Sequence, residues 1–177
     1  MFKGIAVNGA SGAGKTTLGA ELAKRLEFFF MDLDDYFINK DTGTQHSSND
    51  EINKRIIEDI SNHSGFVMSG SILGELKNEL EPHIALIVLL FAPTEIRLNR
   101  VKARTTEEYG NRILPGGDMH DIAQTFYAEI KQLNPEKFEL WASNFTCPVL
   151  RLDGTAPIEE NVSCIISTLS GRSQNAK

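Results

Sequence analysis

Positive charge, cysteine and long apolar runs are all scarce in this chain, and each scarcity excludes something. Of 177 residues, 18 are lysine or arginine against 24 aspartates and glutamates, a net charge of −6. A nucleic-acid footprint is basic, so nucleic acid is not expected as a partner. The two cysteines, Cys147 and Cys164, fall at no metal-ligand spacing and make no disulfide framework. A reduced, cytoplasmic setting is the expectation. The longest apolar run, Ile84 to Ala92, is far short of the roughly 20 residues that a membrane-spanning helix requires. No membrane partner is expected, and the N-terminus enters an apolar segment without the pattern of a signal peptide. There is no internal repeat and no low-complexity block, and the length suits one domain with a sizeable core.

Against those absences stands one specific motif. Gly9-Ala10-Ser11-Gly12-Ala13-Gly14-Lys15-Thr16 fits G-x-x-x-x-G-K-[ST], the phosphate-binding P-loop, at every fixed position. Glycines let successive backbone N–H groups turn toward phosphate oxygens. Lys15 brings positive charge to the β- and γ-phosphates, Thr16 offers a hydroxyl to Mg²⁺, and the following helix adds its dipole, with Thr17 also at that N-terminus. The flanks agree: Gly4-Ile5-Ala6-Val7-Asn8 suits a buried strand, and Leu18, Leu22 and Leu26 give a helix one apolar face. The alternative, a glycine-rich turn with a surface lysine, does not require strand, loop and helix in this order. The glycine spacing is not that of a dinucleotide site.

Further on, strands and helices alternate. Strands are predicted at Phe28–Met31, Phe66–Met68, Ile84–Phe91 and Pro148–Leu152. Helices are predicted from about Asn49 (Ile52, Ile56, Ile60), over Leu73, Leu76 and Leu80, from Thr94 to about Arg104, over Ile122, Phe126 and Ile130, and from Ile158 to Leu169. Pro135 restarts the long helix, and Phe138, Trp141 and Phe145 are expected inside, as is Cys164. Residues Asn39 to Asn49 and Thr105 to Gly117 read as loops. The alternation predicts an α/β fold, a three-layer α/β/α sandwich on a five-stranded parallel sheet. Ligands of such sheets sit at the carboxyl ends of the strands. One domain is expected over residues 1–170, with an acceptor-binding region near 32–65, a lid near 104–118 and a flexible tail at 171–177.

Many P-loop enzymes hold Mg²⁺ with an aspartate ending a long apolar strand. Here Ile84–Phe91 ends in Ala92-Pro93, and Phe66–Met68 ends in Ser69-Gly70. The strand-end acids near the loop are Asp32, Asp34 and Asp35. Asp34 is assigned as the base that takes a substrate hydroxyl proton, and Asp32 to the metal side through water; the alternative is that these acids cap a loop. A transferring phosphoryl group needs surrounding cations. Arg97, Arg100 and Arg104 can line one helical face, and Arg112 on the next loop could close over the phosphates; a solvated basic face is the alternative. Gly70 could let a substrate approach the backbone or simply serve a turn. Arg55 lies on the helix expected to flank the acceptor, with Tyr36 as a wall, and a surface role is the alternative. His46, His63, His83 and His120 make no pair at ligand spacing, and His120 is expected in solvent.

These residues resemble the small P-loop kinases: shikimate and gluconate kinases, adenylate kinase and its relatives, and the uridine kinase group. Asp32-Leu33-Asp34 matches the Asp-x-Asp that shikimate-kinase-like proteins place after the second strand. Asp34-Asp35-Tyr36-Phe37 is similar to the stretch carrying the base in uridine and nicotinamide riboside kinases. Phe91-Ala92-Pro93 through Arg104 resembles their strand, helix and lid entry, which implies Arg100 beside the adenine and Arg104 at the phosphates. Glu107-Glu108-Tyr109-Gly110-Asn111-Arg112 is similar to the lid of uridine-kinase-like proteins. Leu152-Asp153-Gly154-Thr155 looks like the last strand and loop of nucleotide kinases, which implies that Asp153 and Gly154 border the adenine. Ser69-Gly70-Ser71 departs from the glycine triplet of shikimate kinases, and 41–49 holds no acceptor-phosphate arginine. Those departures argue against shikimate and against a nucleotide acceptor.

The resemblance implies an ATP- and Mg²⁺-dependent kinase, monomeric or homodimeric, acting on a hydroxyl of a small molecule. A nucleoside or nucleotide kinase is the alternative within the class. Outside it stand a regulatory ATPase or binding module without an acceptor. A GTPase-type switch lacks its motifs here: no Asp-x-x-Gly switch is found, and Asn39-Lys40-Asp41 is followed by Thr42 rather than completing Asn-Lys-x-Asp.

Overall fold

The order in which the five strands lie side by side explains where a ligand can bind. The computed structural model describes residues 4–37, 48–70 and 77–175. Its strands β1 (Gly4–Gly9), β2 (Phe29–Asp32), β3 (Phe66–Gly70), β4 (Leu86–Phe91) and β5 (Val149–Asp153) form one sheet in the order β2-β3-β1-β4-β5. All neighbouring pairs are parallel. The chain leaves β1 toward one edge and returns to the other, so strand order reverses around the strand that carries the P-loop. The helices are α1 (Lys15–Leu26), α2 (Leu33–Phe37), α3 (Asn49–Asn62), α4 (Lys77–Leu80), α5 (Thr94–Tyr109), α6 (His120–Gln132), α7 (Glu136–Ala142) and α8 (Ile158–Asn175).

Alternation along the strands sends side chains to two faces. Ile5, Val7, Val67, Val88 and Leu90 pack against Leu18 and Leu22 of α1 and Val162 and Ile165 of α8. Ala6, Met68, Ile87 and Leu89 meet Ile52, Ile56 and Ile60 of α3, Phe138 and Trp141 of α7, and Phe145. This is the expected three-layer sandwich. A smaller cluster joins α5 to α6 through Leu98, Val101, Ala123, Tyr127 and Ile130. α3 starts where the sequence suggested, because Ser48 Oγ accepts from Glu51 N while Glu51 reaches back to the Ser48 amide.

Several local expectations are corrected. Helix α5 does not end near Arg104 but runs to Tyr109. Val101 and Thr105 extend its buried stripe, and the Thr105 hydroxyl donates to the Val101 carbonyl and meets the Tyr127 hydroxyl. Polar threonines and glutamates hid that continuation. Gly110 (φ 54) then ends the helix, and a 3₁₀ turn, Gly110–Ile113, follows. On α6 the buried stripe is Ala123, Tyr127 and Ile130, whereas Ile122 is 64 % exposed. Residues Leu33–Phe37, which the sequence assigned to no element, form a short helix. β4 begins at Leu86, because Ile84 caps a 3₁₀ turn at Glu81–His83. Cys164 is exposed, since α8 turns Asn161, Val162 and Ile165 inward. α8 itself continues to Asn175, past the point at which a tail was expected. His46, Ser71, Leu73, Leu76 and most of the loop at 39–49 lie outside the described residues. Among the described residues, no helix is long and apolar enough to cross a membrane.

Candidate active site

The P-loop leaves the carboxyl end of β1 and turns through Gly12 (φ 80) and Gly14 (φ 103), left-handed conformations that side chains rarely adopt. α1 starts at once with Lys15 and has no side-chain cap, so its first amides remain available to an anion. Lys15 is buried, and its Nζ donates to the Ala10 carbonyl across the loop at 3.1 Å. Burial pushes its ammonium down to about 8, against the opposing pull of the Asp34 and then the Asp32 carboxylates. Lys15, Asp32 and Asp34 are therefore electrostatic neighbours, and Arg104 adds a further, repelling charge.

A cavity of about 290 Å³ opens above the loop. Ser11, Gly12, Gly14, Lys15, Thr16 and Thr17 form its floor, and Asp34, Arg100, Val101 and Arg104 its walls. A second compartment of about 160 Å³ shares Gly14, Thr17 and Arg100 with the first and is also lined by Leu18, Leu90, Gly154 and Asn161. The first is polar and sits on the P-loop; the second is flanked by apolar side chains, as a phosphate chain and a flat base would require.

Asp32 ends β2, and its carboxylate is half-buried. Burial pushes it above the ordinary carboxylate range, opposed by hydrogen bonds from the Thr16 side chain and the Asp34 backbone. The Asp34 amide donates to Asp32 Oδ1 at 3.2 Å, which seats the first turn of α2. Asp34 thereby faces the cavity with its own carboxylate exposed. Thr16 and Asp32 form an all-oxygen pair in a place where burial disfavours an uncompensated carboxylate. That donor set fits Mg²⁺, a hard cation that takes oxygen ligands and keeps several of its waters.

The three arginines of α5 have different fates. Arg97 is 2 % exposed and lines neither of these two compartments. Its guanidinium donates to Ala92 O (3.1 Å), Thr94 Oγ1 (2.9 Å), Ser11 O (3.5 Å) and Ile130 O (3.5 Å). It ties α5 to the P-loop and to α6. Arg100 Nη1 bonds the carbonyls of Gly154 (3.0 Å), Ala13 (3.3 Å) and Gly12 (3.4 Å). Arg104 is exposed on the cavity wall. Arg112 is not brought to the cavity in this structure; both it and Asp118 are exposed, and it makes a two-pronged ion pair with Asp118 at 2.7–3.3 Å.

Of the residues expected at the acceptor, Tyr36 is buried and donates its hydroxyl to Asp59 Oδ2 on α3, and Arg55 lies 5.5 Å over its ring. Burial and then Asp59 push the Tyr36 phenol well above its ordinary value. Gly70 is buried within β3, where a Cβ would come within 2.9 Å of Leu33 Cβ, so it gives α2 room to dock. Asp153 turns its carboxylate to Thr155 N and Oγ1, both at 2.7 Å, and so shapes the loop whose Gly154 lines the slot. His120 meets Asp121 at 3.0 Å; it is half-buried rather than in solvent as expected, and it is not among the residues lining the cavity.

Two polar residues escaped sequence reasoning. Asn161 is 7 % exposed, lines the slot and donates to the Asp153 carbonyl at 2.8 Å. Its signal was a polar residue interrupting the apolar stripe of α8. Ser69 is fully buried, and its hydroxyl has no hydrogen-bond partner among the described residues. Its signal was the polar end of an otherwise apolar strand.

A P-loop on this sheet, with acids after β2 and arginines along α5, defines the fold of the small P-loop kinases. A family model described as AAA domain matches residues 5–125. Uncharacterized protein YqaC of Bacillus subtilis (strain 168) is 32 % identical over 178 residues, covering 96 % of this chain and 99 % of that protein. The chain belongs to the AAA domain family. Among solved structures it is similar to shikimate kinase from Acinetobacter baumannii in complex with shikimate (TM-score 0.60, 17 % identity, covering 100 % of this chain and 97 % of that one). It is similar also to a gluconokinase from Sinorhizobium meliloti 1021 (TM-score 0.58, 16 % identity, 98 % and 95 % covered). A third likeness is to Bacillus subtilis YorR in complex with phosphorylated GDP (TM-score 0.60, 16 % identity, 97 % and 98 % covered). At these identities the likeness is one of fold.

Proposed function

We propose that this protein is an ATP-dependent phosphotransferase that moves the γ-phosphoryl group to a hydroxyl of a small metabolite. The observation that carries this reading is Asp34: a solvent-reachable carboxylate on the wall of the cavity whose floor is the P-loop. Binding a triphosphate does not require an acid there, since it would only repel the phosphates. Accepting a proton from an incoming hydroxyl does require one.

In this reading the P-loop amides and Lys15 hold the phosphates, Arg100 and Gly154 border the base, and Thr16 and Asp32 hold Mg²⁺. The ion, when bound, supplies positive charge that offsets the charge of the phosphate oxygens. Asp34 takes the acceptor's proton as the hydroxyl oxygen bonds to the γ-phosphorus. The bond from that phosphorus to the β–γ bridging oxygen breaks, and ADP leaves. Arg104 stabilises the oxygens of the transferring group from the α5 wall. Most of the catalysis is positioning and charge stabilisation.

The acceptor region is proposed near residues 32–65 and the lid near 104–118, which now spans the end of α5, the 3₁₀ turn and the approach to α6 within one domain. A monomer or homodimer in the cytoplasm is the proposed setting. Calorimetry with ATP, followed by ADP release across nucleosides, nucleotides, sugars and sugar acids, tests the reading. Asp34→Asn should keep ATP affinity and lose about 10²–10⁴-fold in turnover on the acceptor found. Unchanged turnover in that variant, or no ATP binding by the wild type, sinks the proposal.

A further inference from the structure

Asn161 places an amide on the buried face of α8, beside Val162 and Ile165. Burying an amide requires partners for its polar atoms. Its Nδ2 donates to the Asp153 carbonyl at 2.8 Å. That contact fixes which way the amide lies, because a carbonyl only accepts and so must face the nitrogen. Oδ1 is therefore turned away from Asp153. It has no hydrogen-bond partner among the described residues, yet it is not one of their fully enclosed atoms, so it opens on the slot that Asn161 lines. Three residues bring polar side-chain atoms to that slot: Thr17, Arg100 and Asn161. Arg100 only donates, and its Nη1 is engaged by the carbonyls of Gly12, Ala13 and Gly154. The Thr17 hydroxyl rotates to donate or to accept. Asn161, with its nitrogen tied down, only accepts.

We infer that Asn161 makes the site selective for adenine: its Oδ1 accepts a hydrogen bond from the 6-amino group of the base. Guanine and hypoxanthine carry a carbonyl oxygen at that position. The inference rests on the phosphotransfer reading, which sets the base in this slot, and it gives Asn161 a part in specificity and none in the chemistry. A 6-oxo base would bring two acceptors face to face and leave both without a donor. A free asparagine would escape that conflict by turning its amide over. Here the turn is opposed, because it would set Oδ1 against the Asp153 carbonyl and forfeit the Nδ2 bond. Selectivity thus comes from the lock on the amide as much as from the oxygen it presents.

The test measures dissociation constants calorimetrically for three ligands on wild type and Asn161→Ala. The ligands are ATP, purine riboside triphosphate, which lacks the 6-amino group, and inosine triphosphate, which carries oxygen there. Wild type should bind ATP about tenfold more tightly than purine riboside triphosphate and about a hundredfold more tightly than inosine triphosphate. In Asn161→Ala the three should fall within about threefold of one another, since the group that tells them apart is gone. The ratios are read within one protein, so a general loosening of the loop after β5, which weakens all three ligands alike, does not alter them. A variant that keeps the wild-type ratios overturns the inference and leaves Asn161 as a brace for that loop. A wild type that binds either analogue as tightly as ATP overturns it too, whether or not the variant folds. Both outcomes leave the phosphotransfer reading standing. A wild type that binds no ATP at all fails that reading first, and the inference with it.

Discussion

Arg100 Nη1 lies 3.0 Å from the carbonyl oxygen of Gly154 and 3.3 Å from that of Ala13, so one guanidinium joins the P-loop to the loop after β5. The slot proposed for the base lies between those two loops. Arg100→Met keeps much of the side chain's length and removes the donors. It should weaken nucleotide binding by about 1–2 kcal/mol, roughly five- to thirtyfold in the dissociation constant. Calorimetric titration with ATP measures this, and wild-type affinity in the variant would mean that the slot is held by other contacts.

Arg97 is the counterpart whose donors are spent on the protein itself. It is nearly inaccessible and donates to four acceptors on three segments. Arg97→Ala leaves a void and several carbonyls short of a donor, so it should destabilise the fold by about 2–4 kcal/mol. Urea unfolding should show a lower midpoint at an unchanged slope. A stable variant with impaired turnover would instead place Arg97 among the residues that act on phosphate.

The contrast between these arginines shows what the sequence could convey. Spacing at 97, 100 and 104 put them on one helix, but burial separates them, and burial depends on α6, where Ile130 faces inward as expected but Ala123 and Tyr127 take the places expected of Ile122 and Phe126. The P-loop was legible because its chemistry is local: eight consecutive residues carry it. The strand at Leu86–Phe91 was legible because a central parallel strand is apolar throughout. Tyr36 lies two residues after Asp34 and Arg55 lies on the helix expected to flank the acceptor, which is all that the sequence offers for an acceptor role. Their mutual contact and the Tyr36–Asp59 hydrogen bond join separate segments, and no periodicity encodes such pairing.

That hydrogen bond has a pH signature. Burial and Asp59 hold the Tyr36 phenol above its ordinary value. An unfolded tyrosine ionises near pH ~10, whereas the folded one keeps its proton there. The contribution of Tyr36 to stability is therefore complete below about pH 10 and is lost as pH rises above it toward the folded value. Denaturant unfolding at pH 9 and pH 11 should show a larger alkaline loss in wild type than in Tyr36→Phe, which cannot ionise. Equal losses in both proteins would show that other groups set the alkaline limit.

Arg112 can serve the proposed lid only by leaving Asp118. Both side chains are more than half exposed, so solvent screens their attraction and little opposes the exchange. Asp118→Ala should leave the unfolding midpoint unchanged and free the guanidinium. Arg112→Ala should also keep the midpoint and the ATP affinity of the open protein. If the lid closes over the γ-phosphate, Arg112→Ala lowers kcat by at least about tenfold, because it removes a cation that acts only on the transferring group. Asp118→Ala then keeps or raises kcat. Undiminished turnover in Arg112→Ala would confine the charge stabilisation to Lys15 and Arg104, with the 3₁₀ turn serving only to join α5 to α6.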